Sequence, residues 1–280
     1  MIDSPDVWVL KIGGDELRPG PALARVALLA AQASRRGRSL VVVHGGGDEV
    51  TERAAALGLA TEKRGGQRVT DEATLEVVVE VLAGRVNARL TNALEGAGVP
   101  AVGLTGVSGG LLRVRPAGVP PGSLGWVGDP TAVTTRLLRK LHAEGFVPVL
   151  ASLGADADHR IHNVNADLAA AAVAGAMRAA LFLVTDVPGV KDASGAVRPS
   201  VSPAEARRLI ATGVAADGMA PKLEAALRAT AHGAPVAWIG PLEALSDAGP
   251  RPGAGSFVAG GPRAVPTLPI LPRRPAPGGP

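Results

Sequence analysis

The chain of 280 residues contains no cysteine and no tyrosine, and aromatic residues make up only 2% of it. Without cysteine there is no disulfide, no thiol nucleophile and no thiolate-held metal, and the redox state of the compartment is left open. So few rings predict a core of aliphatic side chains. Apolar runs are short, none approaching the roughly 20 residues that a membrane-spanning helix requires. The opening residues, MIDSPD, lack a basic stretch ahead of an apolar one, so no secretory signal is expected and a cytoplasmic location is. Lysine and arginine together number 29 against 25 acidic residues, a formal net charge of +4. These cations are scattered and not interleaved with aromatics, which argues against a nucleic-acid partner. Paired carboxylates, a Ser-His-Asp order and clustered metal ligands are wanting as well.

What the sequence does supply is glycine at the ends of apolar runs. Residues 40–50, LVVVHGGGDEV, join an apolar strand to three glycines and then to an acidic, helix-compatible segment. Glycines there let backbone N–H groups reach a bulky anion, because no Cβ stands in the way and positive φ is open. A helix beginning near Gly47 adds its unpaired N–H groups and positive end. The stretch is equally compatible with a plain strand-to-helix turn, and its spacing matches neither the P-loop nor the dinucleotide fingerprint. Other stretches have to decide.

Residues 7–12, VWVLKI, form another strand-like run, closed by Gly13 and Gly14, with Lys11 one residue from its end. A lysine so placed costs desolvation unless an anion meets it. Residues 21–36 read as an amphipathic helix with proline near its start and Gly37 behind it. Strand, helix and strand, with a glycine turn ending each strand, predict a parallel sheet whose carboxyl edge carries ligand loops. A helix to about residue 57 comes next, then a polar piece, 61–69, containing Arg68, whose fork suits a carboxylate. Residues 71–94 carry apolar side chains at helical spacing, with Thr70 as the expected N-cap. Strands are expected over 99–104, 111–114 and 147–152, and a helix over 131–144.

Residues 161–167, IHNVNAD, place Asn163, Asn165 and Asp167 at alternate positions, so extended geometry turns them to one side. Asp167 falls at the mouth of an alanine-rich helix over 168–177. One of the three is expected to cap that helix, and three exceed a cap's needs. Thr185, Asp186 and Gly189 lie at the end of a strand expected over 181–185. Ser202 and Glu205 fit a capping box for a helix over 202–212. Gly218 and Met219 lead into a last helix whose first turn carries Lys222, a position that opposes the helix dipole and so favours an anionic partner. A late strand over 235–239, a final edge strand over 256–259 and a mobile Pro/Gly-rich tail over 261–280 complete the reading.

Anion holders without acid–base machinery fit phosphoryl transfer, where catalysis is mainly positioning and charge neutralisation. An acceptor carboxylate is ionised at neutral pH and needs no general base. His44, at the head of the cradle, reads as a structural histidine.

Six motifs now stand in order: Lys11-Ile12-Gly13-Gly14, Val43-His44-Gly45-Gly46-Gly47, Gly66-Gln67-Arg68-Val69-Thr70-Asp71, Asn163-Val164-Asn165-Ala166-Asp167, Thr185-Asp186-Val187-Pro188-Gly189-Val190 and Gly218-Met219-Ala220-Pro221-Lys222. This series, spanning residues 7–258, resembles that of the amino acid kinase family. Within it the chain looks most like the branch that phosphorylates the γ-carboxylate of N-acetylglutamate with ATP in arginine biosynthesis. The resemblance implies a three-layer αβα open sandwich of the carbamate kinase-like type, with a mostly parallel central sheet of about eight strands. Residues 1–172 would form an N-terminal lobe for acyl amino acid binding and dimerisation, and 173–260 a C-terminal lobe for ATP. Carried over by motif, Lys11 and Lys222 would neutralise the transferring phosphoryl group from two sides, with Asp167 holding both. Gly46, Gly47, Arg68, Asn163 and Asn165 would bind the substrate, and Gly13, Gly14 and Gly45 would face phosphate. Thr185, Asp186, Gly189, Gly218 and Met219 would lie along the nucleotide. Mg²⁺ would be held mainly by phosphate oxygens and water, with no dedicated metal site in the protein.

Asp48 stands where the family commonly has proline. The segment ahead of the first strand is shorter than the extra N-terminal helix of arginine-inhibited hexameric relatives, which implies a homodimer weakly sensitive to arginine. Two alternatives share the resemblance. One is a sibling kinase acting on α-aminoadipate or glutamate borne by a carrier protein, for which Arg113, Arg115, Arg136, Arg139 and Lys140 are the candidate basic rim. The other is a catalytically silent amino-acid sensor, against which the retention of Lys11, Lys222 and Asp167 speaks.

Overall fold

The computed structural model describes residues 7–64, 67–216 and 218–258. The expected C-terminal tail therefore lies outside the described residues, as do Gly65, Gly66 and Asp217. The chain opens with β1 (Val7–Ile12), α1 (Pro21–Arg35) and β2 (Ser39–His44), the helix begun by its proline. After the glycine turn come α2 (Gly47–Ala56) and a hairpin of β3 (Glu62–Arg64) with β4 (Gln67–Val69). A long helix follows in three pieces: α3 (Glu72–Val79), a π-helical segment (Glu80–Val86) and α4 (Asn87–Gly96). Next are β5 (Ala101–Thr105), β6 (Leu112–Pro116), β7 (Val127–Val133), α5 (Arg136–Ala143) and β8 (Val147–Ala151). β9 (Leu153–Ala155) and β10 (Ile161–Val164) lead into α6 (Ala166–Met177) and β11 (Ala180–Val184). The last part holds β12 (Ser200–Val201), α7 (Pro203–Ala211), α8 (Met219–Ala231) and β13 (Ala237–Gly240), then the small pair β14 (Leu245–Ser246) and β15 (Gly249–Pro250), and β16 (Ser256–Val258). Among the described residues no helix is long and apolar enough to cross a membrane.

The central sheet has eight strands in the order β12-β16-β13-β11-β1-β2-β8-β5. From β13 to β5 all neighbours are parallel, while β16 runs antiparallel to β13 and takes β12 with it. β6, β7, β9 and β10 close a small barrel beside the sheet. Helices cover both faces, which is why the strands read as unbroken apolar runs. On one face Trp8, Leu10, Leu40, Val42 and Phe182 pack with apolar residues of α1, the π segment and α4. On the other, Val9, Val41, Val43, Leu181 and Ile239 meet α6 and α8. The core is mainly aliphatic as expected, but the first face also stacks Trp8, Phe182 and Trp238, with ring centroids 4.7 and 6.3 Å apart. Lys11 alternates with Trp8, Leu10 and Ile12 and shares a face with Val9, so the pleat sends it toward α6 and α8.

Several expectations are corrected. Residues 131–133 belong to β7 and the helix begins only at Arg136, because the β-branched run after Pro130 pairs with β6 in the barrel. Within the polar piece, Glu62–Arg64 pairs antiparallel with Gln67–Val69 through the backbone, without apolar alternation. Asp71, not Thr70, caps α3, accepting from the Thr74 N–H, while the Thr70 hydroxyl donates to the Arg68 carbonyl. The strand at 256–258 is not an edge, since β12 pairs outside it and two residues are too few to reveal a strand in sequence. Of the capping box at α7, Ser202 accepts from the Glu205 N–H, and the Glu205 carboxylate turns to Arg198 instead. The π segment has a sequence cause. Val78, Leu82, Val86, Leu90 and Leu94 recur at steps of four and are all buried, whereas a regular α-helix would rotate such a series around its axis. A wider turn brings them back to one face.

Gly106, just after β5, lies so near β9 that a Cβ on it would stand 1.8 Å from the Leu153 carbonyl oxygen. Gly106→Ala is expected to lower stability by about 3 kcal/mol, read by thermal or urea unfolding; an unchanged midpoint would show that this crossing relaxes freely.

Candidate active site

β1, β2 and β11 end side by side, and α2, α6 and α8 begin near those ends. The carboxyl edge of a parallel sheet thereby gathers loop backbone and helix N-termini, which attract anions. Asp167 enters in the first turn of α6, its position fixed by Asn165, the N-cap, whose Oδ1 accepts from the N–H groups of Asp167 and Leu168 at 2.9 and 3.2 Å. Lys11 Nζ lies 3.0 Å from Asp167 Oδ1, and Lys222 Nζ lies 3.2 Å from Oδ2. All three side chains are largely withdrawn from solvent. Burial pushes the Asp167 pKa upward, and the charges of Lys11 and Lys222 more than reverse it, leaving the carboxyl below its usual value. Lys222 is pulled below the usual lysine value by burial and then by Lys11, with Asp167 and Asp186 opposing. Gly13 makes room for the arrangement, since a Cβ there would sit 2.9 Å from Lys11 Nζ.

The glycine turn serves as scaffold and opening at once. Gly46 has φ of 150°, and a Cβ on it would meet Leu82 Cδ2 at 2.9 Å and Val86 Cγ2 at 3.1 Å, both in the π segment. A Cβ on Gly47 would meet nothing within 4 Å. One glycine is thus demanded by packing, and the next faces open space. α2 starts here without a side-chain cap, so the backbone N–H groups of its first turn lack an intrahelical partner.

Arg68 is buried, and its Nη2 donates to Gly47 O and Thr51 Oγ1, both at 2.7 Å. Its Nη1 has no hydrogen-bond partner among the described residues. Asn163 Nδ2 donates to Thr70 Oγ1 at 3.1 Å, tying β10 to the segment that carries Arg68. A cavity of roughly 210 Å³ is lined by Lys11, Gly13, Gly14, Gly45, Gly46, Gly47, Arg68, Asn163, Asn165 and Asp167. Lys63, Gln67, Ser152, Val78 and Leu82 line it too, and sequence reasoning misses them as site residues. A second cavity, of roughly 500 Å³, is lined by Thr185, Asp186, Gly189, Gly218, Met219 and Lys222, together with Lys191 and Val214. Every residue proposed from sequence falls in one cavity or the other, and Asp167 bridges them through its two lysines. The candidate basic rim is a different matter: Arg115 pairs with Asp129, Arg113 donates to the Asp156 carbonyl, and Arg139 turns to Thr135.

A sandwich that brings two glycine turns, two lysines and an aspartate to one sheet edge has the makings of a phosphotransferase. The chain belongs to the amino acid kinase family, whose model matches residues 6–240. It is 47% identical to an acetylglutamate kinase of Sorangium cellulosum over 237 residues, covering 80% of this chain and 83% of that one. An acetylglutamate kinase of Methanopyrus kandleri is 44% identical over 245 residues, 85% of this chain and 96% of that one. Among solved structures, N-acetylglutamate synthase from Neisseria gonorrhoeae, complexed with coenzyme A and N-acetyl-glutamate, superposes with a TM-score of 0.76 at 28% identity, over 91% of this chain and 60% of that one.

Because the Asp167 pKa is depressed, its ion pairs contribute stability that is fully present above the unfolded value near 3.8 and is lost as pH falls through the lower folded value. Asp167→Asn is therefore expected to be less stable than the parent by about 3 kcal/mol at neutral pH, with the gap narrowing below about pH 4. A gap independent of pH in urea titrations would contradict the ion-pair account.

Proposed function

We propose that the chain transfers the γ-phosphoryl group of ATP to the γ-carboxylate of N-acetyl-L-glutamate, giving N-acetylglutamyl 5-phosphate for arginine biosynthesis. The observation that carries this reading is the Lys11–Asp167–Lys222 triad, which joins a small polar cavity to a larger one. In this reading residues 1–172 hold the acyl amino acid and the dimer contact, and 173–260 hold ATP. Arg68, with one guanidinium nitrogen unused, and Asn163 grip the acceptor. Gly46 and Gly47 offer N–H groups to the group in flight, with Gly13, Gly14 and Gly45 lining its path. Thr185, Asp186, Gly189, Gly218 and Met219 border the nucleotide.

Transfer needs the acceptor oxygen, phosphorus and leaving oxygen in line, and it needs charge neutralised as it spreads over the phosphoryl oxygens. Lys11 reaches that group from the acceptor side and Lys222 from the nucleotide side, while Asp167 keeps the two ammonium groups from separating. The acceptor carboxylate is already ionised, so its oxygen attacks without giving up a proton. His44, buried with its pKa pushed down to about 4, is not called upon as a base. Mg²⁺ would take most of its ligands from phosphate and water, with Asp186 in the second cavity as the carboxylate available to it, and would supply charge neutralisation. The reading also takes the protein as a cytoplasmic homodimer, on the strength of the resemblance.

Hydroxylamine trapping of the acyl phosphate, with N-acetylglutamate, N-succinylglutamate, N-acetylaminoadipate and free glutamate as acceptors, tests the reading. N-Acetylglutamate should turn over well above the others, and Lys222→Ala should reduce its kcat on the order of 10²- to 10³-fold. Silence with all four acceptors despite intact ATP binding would favour a carrier-borne acceptor or a silent sensor.

A further inference from the structure

His44 and Asn87 stand outside both cavities, and both are buried. Asn87, the first residue of α4, sends its side chain to the far side of the sheet's glycine turn. Its Nδ2 lies 2.9 Å from Val149 O, 3.3 Å from Leu104 O and 2.9 Å from His44 Nε2. Two of these partners are backbone carbonyls, which only accept, so the amide nitrogen must face them. The imidazole nitrogen beside that same nitrogen must then accept as well, which leaves Nε2 without a proton. The ring proton sits on Nδ1, 2.9 Å from the Gly45 carbonyl oxygen, to which it is donated. Space for the amide is reserved on β5, where a Cβ on Gly103 would stand 2.2 Å from Asn87 Oδ1.

The consequence reaches the cavity through one peptide. A trans peptide is planar, so the Gly45 C=O and the Gly46 N–H point in opposite directions. A carbonyl drawn to the buried His44 ring turns the Gly46 N–H the other way, toward the cavity that Gly45, Gly46, Gly47 and Lys11 line. The residue before Asn87 supports the neighbouring atom of the same turn, since Val86 abuts the place where a Cβ on Gly46 would be.

We propose that His44 and Asn87 are positioning residues for phosphoryl transfer: Asn87 sets the His44 tautomer, and His44 locks the Gly45–Gly46 peptide so that the Gly46 N–H meets the group in flight. The proposal rests on the function proposed above for its kinetic readout, and on the protein alone for its spectroscopic one. Burial keeps the ring neutral at physiological pH, so the lock does not open with ordinary changes of acidity.

The test combines ¹⁵N spectra of the wild-type imidazoles with kinetics of three variants. The spectra should show His44 protonated on Nδ1 and not on Nε2. His44→Phe, which removes the donor, should lower kcat about 10- to 100-fold with both KM values within about threefold, because the Gly46 N–H it frees acts in the transition state. His44→Asn, whose amide can place a donor near the position of Nδ1, should recover kcat to within about fivefold of wild type. Asn87→Leu should give an intermediate loss and a mixture of tautomers. An Nε2–H tautomer in the wild type overturns the proposal even if no variant folds. So does a His44→Phe enzyme that keeps its kcat, or one whose kcat and KM values deteriorate together without rescue by His44→Asn. Wild-type protein inert toward N-acetylglutamate, yet showing the Nδ1–H tautomer and a Gly46 amide resonance that shifts in His44→Phe, would refute the proposed acceptor and leave the lock standing; an unshifted resonance would refute the lock.

Discussion

A buried carboxylate between two ammonium groups leaves net positive charge at the carboxyl edge of the sheet, and the surrounding fold is arranged to tolerate it. Removing charges from water is costly, and attraction to Asp167 offsets this for the lysines only while the geometry holds. Three separate elements supply the geometry: Lys11 from β1, Asp167 from α6 and Lys222 from α8. With two cations to one anion, the triad favours a further anion. In the proposed transfer, an arriving phosphoryl group would relieve the repulsion between the lysines that Asp167 alone cannot cancel, so the interaction that strains the resting protein would also be the source of affinity for a highly charged group.

Close packing of small residues makes this convergence possible. Most of α6 is alanine, and Gly175 lies so near the end of α8 that a Cβ on it would stand 2.8 Å from His232 Cβ. The two helices can therefore bring their N-termini together over the end of β1. Across the sheet, the π segment presses Leu82 and Val86 against Gly46. A change of one methyl group in either place would be felt in the site, because interiors packed this densely have no slack to absorb it.

Much of this arrangement is legible in the amino-acid sequence. Lys11 and Lys222 betray themselves because each is a cation where burial or the helix dipole disfavours one, Asp167 because it alternates with Asn163 and Asn165 beyond a cap's needs, and the glycine turns because they follow largely apolar strands. The edges of elements are less readable. The run after Pro130 has the spacing of a helix, and only its pairing with β6 makes it a strand. β12 is too short to carry a pattern, so β16 reads as an edge. His44 looks like an ordinary structural histidine, and its partner Asn87 lies 43 residues away inside an apparently regular helix. Such an interaction leaves no local trace, since it depends on the π segment that sets where α4 begins. Lys63 and Gln67 are hidden for a similar reason: whether a hairpin folds over a cavity is decided by tertiary packing.

The most direct measurement of the central claim is a crystal structure with MgADP, fluoroaluminate and N-acetylglutamate bound together. The account predicts the fluoroaluminate between the Lys11 and Lys222 ammonium groups, in line from the acceptor γ-carboxylate to the β-phosphate, with Asp167 contacting both lysines and the Gly46 N–H directed at a fluorine. Fluoroaluminate held elsewhere, or an acceptor whose γ-carboxylate points away from the triad, would contradict it.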